Sequence, residues 1–483
     1  MNITDLKPSL VWKYFDEITK IPRPSKKEEK IVDYLVKTGK ALGLDTKRDN
    51  VGNVLITKAA TPGKEHLPTI VLQSHVDMVC EKDNSTNHNF DTDPIKTIID
   101  GEWIKADGTT LGADNGIGVA AELALLASTD VEHGKIECLF TIDEETGLTG
   151  ASAIQPGFFT GNILLNLDSE DEGEIFIGCA GGADTTASFN YQLEPVPQDW
   201  FFFKLNITKL NGGHSGCDIH RGHANANKLL ARFLWQSVKK YDLLICSITG
   251  GNLRNAIPRE AVALAAVPAD DREKIRADFN IFLQEIETEY GKIELNRIIT
   301  LETESPHPYA IDPIAATRVL NTLYACPHGV IAMSHDIPGL VETSTNLASV
   351  KMIDNKVAIG TSQRSSIESA KKDVLQMVES VFMLADRVTH GSGYPGWKPN
   401  RNSAVLQAAI QTYIQLFGVE PHVKAIHAGL ECGLFLSKYP ELDMISFGPT
   451  LREVHSPNER MHIPSVEKFW NFLLEMLKNY PAK

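Results

Sequence analysis

Residues 136–150 read IECLFTIDEETGLTG. The apolar run before Asp143 suits a strand buried on both faces, as in a mostly parallel sheet. It stops at two adjacent carboxylates, Glu144 and Glu145. Neighbours on a regular strand point to opposite faces, so a strand that simply continued would separate them. Thr146 and Gly147 predict that the strand ends here and lets both carboxylates face one site. A solvated turn is the ordinary alternative, because charges are mostly exposed; the rest of the chain decides between them.

Three further runs share the pattern. TIVLQSH (69–75) ends at His75, NILLNLDSE (162–170) reaches Asp168, and DMISFGPTLREVH (443–455) precedes His455. GIGVAAELALLAS (116–128) has a helical apolar period. Alternating strands and helices define an α/β domain, and functional groups in open α/β sheets gather at the carboxyl ends of strands. All four runs carry their ionisable residues at that end.

A long segment separates the first three runs from the fourth. Within it FFFKLNITKL (201–210) and AVALAAVPA (261–269) read as strands, and NANKLLARFLWQSVKKY (225–241) and SSIESAKKDVLQMVESVFMLADRV (365–388) as amphipathic helices. The glycine-rich GCAGGAD (178–184) and HGSGYPGWKPNRNS (390–403) read as hinges. The expected organisation is a discontinuous α/β domain, 1–186 and 394–483, with a second domain, 187–393, inserted into it.

At 483 residues the chain exceeds one ordinary core. A formal charge of −15, from 62 acidic against 47 basic residues, and the lack of any basic block argue against nucleic acid or an anionic membrane as partner. The first thirty residues lack a signal-peptide layout, and no stretch reaches the ~18 apolar residues of a membrane span. Seven cysteines, odd in number and without a C-x-x-C pair, fit reduced thiols. The expected location is the cytoplasm.

His75 and Asp77 sit two apart, so on an extended segment they share a face. This suits a metal-bound imidazole steadied by a carboxylate, although H-x-D alone is weak evidence. Asp114 lies in TTLGADNGIGVA (109–120), a glycine-rich turn into a helix. Such a turn could cradle phosphate, but a carboxylate there repels an anion, and no Lys-Ser/Thr follows. Together with Asp168, His455 and one glutamate of the pair, these residues supply two imidazoles and three carboxylates, a set for two divalent zinc-like cations. If Asp114 bridges, two dications against three carboxylates and one hydroxide leave a neutral centre, which tolerates partial burial. The second glutamate is then free to act as general base beside the water that such a centre activates. The residues alone leave open which glutamate is which.

HVD, GADNGIG, EETG, NLDSE, GGHSG and VHSPNE, in this order, closely resemble the co-catalytic zinc peptidases that include aminoacylases, glutamate carboxypeptidases and bacterial dipeptidases. The resemblance spans essentially the whole chain, and LRNAIPRE and IHAGLECGLF narrow it to the branch that cleaves Xaa-His dipeptides. It implies a phosphorylase/hydrolase-like mixed sheet flanked by helices, with an inserted α+β lid domain. It further implies two Zn2+ per chain, replaceable by Co2+ or Mn2+, with His75 and Asp168 on one, Glu145 and His455 on the other, and Asp114 between them. Glu144 would be the general base and Asp77 would orient His75. From the lid, His214 and Asn255 would polarise the scissile carbonyl, Arg364 would grip the substrate carboxylate, and Gly429 would approach the substrate through its backbone. The implied activity is hydrolysis of unblocked dipeptides, β-alanyl-histidine included, by a cytoplasmic homodimer.

Other readings compete. An N-acyl amino acid deacylase would use the same metals. A cysteine hydrolase would pair Cys432 with His427 but lacks an evident third member, and a binding protein could reuse the fold without activity. His220 and His223 could chelate if helical, but a structural role fits them better. His462 lies close to His455, and the HSPNE context favours His455.

Overall fold

In the computed structural model, which describes residues 2–480, the chain forms two compact units. The first comprises Met1–Cys179, Trp397–Ala425 and Leu430–Lys483, and the second Ala180–Gly396 and Ile426–Gly429.

The first unit is built on an eight-stranded mixed sheet. Its order is Asp45–Arg48, Val54–Lys58, Ile136–Thr141, Ile70–His75, Ile163–Asn166, Asp443–Ser446, Glu174–Cys179, His422–Ile426. The four runs that stop at ionisable residues are its four central strands, and they are mutually parallel. Antiparallel strands flank them on both sides. Every residue of Ile70–His75 and Ile136–Thr141 is buried, which explains why these strands read as continuous apolar runs rather than alternating ones. Register aligns Ile70 with both Ile136 and Ile163, and Asp443 with Ile163, so the carboxyl ends finish level.

Within Ala113–Ala127 the backbone is non-helical at Asp114 and Asn115, so the regular helix runs from Gly116, and the segment is buried all round from Asn115 to Leu126. Val119, Leu123 and Leu125 are at most 1% exposed, each contributing about 1.5–3 kcal/mol of burial. It packs against helix Ser9–Thr19 and strand Ile70–His75.

The second unit carries a nine-stranded antiparallel sheet. On strand Phe201–Thr208 the alternation is plain: Phe203, Leu205 and Ile207 are fully buried, while Lys204, Asn206 and Thr208 are half-exposed. Helices Ala226–Ser237, Arg272–Tyr290, Pro313–Ala325 and Glu368–Phe382 cover the apolar face. Within the stretch 178–184 the two units divide between Cys179 and Ala180, and Gly181–Asn190 is a ten-residue strand paired along its length with Lys356–Ser365. Its glycines serve close approach, not turning. A Cβ on Gly181 would lie 2.4 Å from the Gly396 nitrogen, and one on Gly182 would lie 2.8 Å from the Tyr394 ring.

Candidate active site

The carboxyl ends of the parallel strands bring the ionisable residues of the first unit together. His75, the last residue of its strand, places Nε2 3.0 Å from Asp114 Oδ1 and 3.3 Å from Asp168 Oδ1. His455 places Nε2 3.2 Å from Asp114 Oδ2 and 3.0 Å from Glu145 Oε2. Asp114 thus offers one oxygen to each imidazole, the arrangement a bridging carboxylate needs. Its backbone (φ −81°, ψ 112°) is extended, so the side chain stands clear of the helix that follows.

Among the described residues, no lysine or arginine forms an ion pair with Asp114, Glu145 or Asp168. Three carboxylates beside two imidazoles, all but His455 largely buried, are costly without positive charge. The donor set fits a pair of nitrogen- and oxygen-preferring divalent cations. Burial raises the Asp168 carboxyl to about 6. Hydrogen bonds to Asp114 and Glu145 push His455 up to about 11. Burial alone would lower His75, but Asp168, Asp114 and Asp77 carry it well above the usual imidazole range.

Glu144 and Glu145 open a single helical turn, Glu144–Gly147, entered through Asp143 at φ 51°. The strand therefore ends before them, as strand alternation required. Burial pushes the Glu144 carboxyl well up, with Asp168, Glu431 and Glu145 reinforcing it against the pull of His75. Asp77, fully buried, holds both the turn and the histidine. Its oxygens accept the backbone N–H groups of Glu144 (3.0 Å) and Glu145 (3.2 Å) and the Ser25 hydroxyl (2.8 Å). Oδ1 lies 3.3 Å from His75 Nδ1, an ion-pair contact that falls short of a formed hydrogen bond.

Glu28 and Asp143 form a second acidic group with Asp77. Glu28 accepts the backbone N–H groups of Lys26 and Asp143, and Asp143 accepts the hydroxyls of Thr146 and Thr149, so these acids are engaged in holding the turn.

Sequence reading missed a polar layer directly beneath the strand ends. Gln73 Nε2 donates to Glu431 Oε2 (2.5 Å), the Thr141 hydroxyl donates to the same oxygen (2.7 Å), and Asn166 Nδ2 donates to Gln73 Oε1 (2.6 Å). All four residues are fully buried. The available signal was a polar residue near the end of three of the four apolar runs: Gln73 before His75, Thr141 before Glu144, Asn166 before Asp168.

In the second unit, His214 Nδ1 accepts the backbone N–H groups of Gly216 (3.3 Å) and Cys217 (3.1 Å). This fixes the neutral tautomer with its proton on Nε2, and burial followed by the Arg364 charge lowers the pKa further. The Asn255 carbonyl accepts Ser215 N–H at 2.8 Å, while Asn346 Nδ2 donates to the carbonyls on either side, Arg254 and Ala256. Arg364 is 7% exposed; Nη1 donates to the Tyr394 hydroxyl (3.0 Å), and Nε has no acceptor among the described residues. A Cβ on Gly429 would lie 2.9 Å from the Tyr394 ring, so only glycine fits. Tyr394, inside the stretch read as a hinge, is a member of this group that the sequence did not flag.

Two of the competing histidines have partners of their own. His223 bonds the Gly212 carbonyl, and His462 lies 3.7 Å from Glu102 against the Trp103 ring. For the cysteine alternative, burial drives the Cys432 thiol well above its usual range, and His427 Nε2 lies in a hydrogen bond with the Ser344 hydroxyl at 2.7 Å. Neither group is prepared for thiolate chemistry.

A parallel-stranded sheet edge holding this donor set places the molecule among metallopeptidases, and the sequence agrees. Residues 71–479 match the family model for Peptidase family M20/M25/M40, and the chain belongs to that family. It is 46% identical to the cytosol non-specific dipeptidase of Escherichia coli over 483 residues, covering 100% of both chains. The crystal structure of aminoacylhistidine dipeptidase from Vibrio alginolyticus is similar with a TM-score of 0.92 at 44% identity, over 100% of this chain and 99% of that one. A tripeptidase from Staphylococcus aureus shares the fold with a TM-score of 0.57 at 18% identity, over 98% of each chain.

Proposed function

We propose that this protein is a zinc-dependent dipeptidase acting on unblocked dipeptides, Xaa-His substrates such as β-alanyl-histidine among them. The observation that carries the reading is the shared carboxylate of Asp114, with one oxygen to each of two imidazoles, in a chain similar end to end to a cytosol non-specific dipeptidase.

His75 and Asp168 would hold one cation, Glu145 and His455 the other, and Asp114 would serve both. When bound, such a pair supplies Lewis acidity and lowers the pKa of water towards ~7. The chain's own residues do the rest. Glu144, outside the ligand set, takes a proton from the attacking water and returns it to the leaving amine. Asp77 keeps the His75 ring turned and the Glu144 turn in place. His214, neutral with its proton on Nε2, is suited to donate to a carbonyl as it becomes an oxyanion, with Asn255 as a second donor. Arg364, buried with a free Nε, suits a planar carboxylate taken in two parallel hydrogen bonds. Gly429 leaves its backbone open to a substrate. We further infer a cytoplasmic homodimer whose inserted domain, 187–393, binds substrate; sedimentation at micromolar concentration tests the dimer.

Activity should be lost on chelation, return with zinc, and withstand thiol reagents. Hydrolysis of β-alanyl-histidine should far exceed that of N-acetyl amino acids. The reverse preference would make the protein a deacylase, and chelator resistance would remove the metal reading altogether.

A further inference from the structure

Glu459 lies four residues after His455, in the same loop. It is 2% exposed. Oε2 accepts the backbone N–H groups of Leu111 (2.8 Å) and Gly112 (3.1 Å), and Oε1 accepts those of Ala113 (2.8 Å) and Asp114 (3.4 Å). Four successive amides therefore converge on one side chain. Amides at the head of a helix lack partners within it, and a carboxylate there satisfies them with charge-assisted bonds.

The opposite face of the same segment is held by Arg23, also 2% exposed. Its Nη2 donates to the Gly112 carbonyl at 2.5 Å, and Nη1 donates to the carbonyls of Val76 (2.9 Å) and Asp77 (3.1 Å). Gly112 takes φ 68°, and a Cβ there would lie 2.6 Å from Arg23 Nη2, so the backbone must run bare between the two charges. The loop that supplies Glu459 is itself in an unfavourable conformation: Glu453 and His455 adopt φ 55° and 61°, values that residues other than glycine seldom hold without support.

We propose that Glu459 is a positioning residue that locks the Asp114 segment to the His455 loop, so that the bridging carboxylate and the second imidazole are delivered as one preset unit. It touches no substrate. This rests on the two-metal reading above. Its consequence is that the His455–Glu145 half, which draws both His455 and Asp114 from the locked segments, depends on Glu459 more than the His75–Asp168 half, which draws only Asp114 from them and is otherwise carried on the strand ends.

The test compares full-length wild type with Glu459→Gln. Whichever way the new amide turns, its NH2 faces two backbone N–H donors. Zinc per chain is measured against buffered free zinc, and hydrogen exchange is followed in the metal-free proteins. Wild type should bind two ions; Glu459→Gln should keep one at the same free zinc and need at least tenfold more for the second. Exchange at amides 111–114 should quicken at least tenfold, with helix Ile463–Asn479 unchanged. Equal loading of both ions by the variant, or parallel loss of both with a general fall in Tm, overturns the proposal. Should the variant fail to fold, metal-free wild type decides: amides 111–114 unprotected there overturn it, and strong protection supports it. Fewer than two ions on wild type would remove the two-metal reading, while the exchange result still judges Glu459.

Discussion

The Asp77 carboxylate receives the backbone N–H of Glu144 at 3.0 Å while lying 3.3 Å from His75 Nδ1. One side chain therefore sets the aim of an imidazole on one strand and the start of the helical turn after another. Asp77→Asn exchanges an acceptor for a donor: turned one way it loses the Glu144 N–H and the His75 contact, which share Oδ1, and turned the other it loses the Glu145 N–H on Oδ2. Metal affinity should fall about 10–100-fold, as for other supports of metal-binding histidines. A competition titration that finds wild-type affinity would remove this role.

Glu144→Gln keeps the shape of the turn and removes the base. With zinc retained, kcat should drop by about 10²–10⁴-fold, the usual contribution of general-base catalysis. Metal analysis of the same preparation checks that the ligands were spared; near-normal turnover would assign the proton transfer elsewhere.

Arg364 owes its aim to the Tyr394 hydroxyl. Arg364→Ala should raise KM for free dipeptides far more than for C-terminally amidated ones. Tyr394→Phe should raise it in the same direction but less, since the charge stays and only its tether goes. Equal effects on the two substrate classes would dismiss the carboxylate clamp.

Burial raises the Glu431 carboxyl to about 8 in the folded protein, the nearby His75 opposing the shift. The folded state therefore holds a proton that the unfolded chain, near ~4.3, gives up. Stability from this group is complete at acid pH and is lost as pH climbs towards 8, at a limiting slope of roughly 1.4 kcal/mol per pH unit. In urea unfolding of metal-free protein, wild type should lose ground to Glu431→Gln between about pH 4.5 and 8. A pH-independent difference between the two would show that Glu431 is not protonated in the fold.

The sheet and its reactive edge were legible because parallel strands buried on both faces leave an unmistakable apolar trace, and His75, Asp168 and the Glu144–Glu145 pair interrupt it at one end. The polar layer beneath was not legible. Gln73, Thr141 and Asn166 each look like tolerated exceptions until Glu431, distant in sequence, gives them a common acceptor. The close approach at Gly181 and Gly182 was not legible for a physical reason: glycine required for close backbone approach and glycine required for a turn look alike in sequence. Tyr394 was hidden among such glycines.

The second unit recruits Ile426–Gly429 from late in the chain, and His427 is tied there to Ser344 at 2.7 Å. A ribosome making this protein must therefore emit residue 429 before the second unit can close, by which time most of the first unit has already been released. Neither unit is a stretch that could be cut out, expressed alone and found whole.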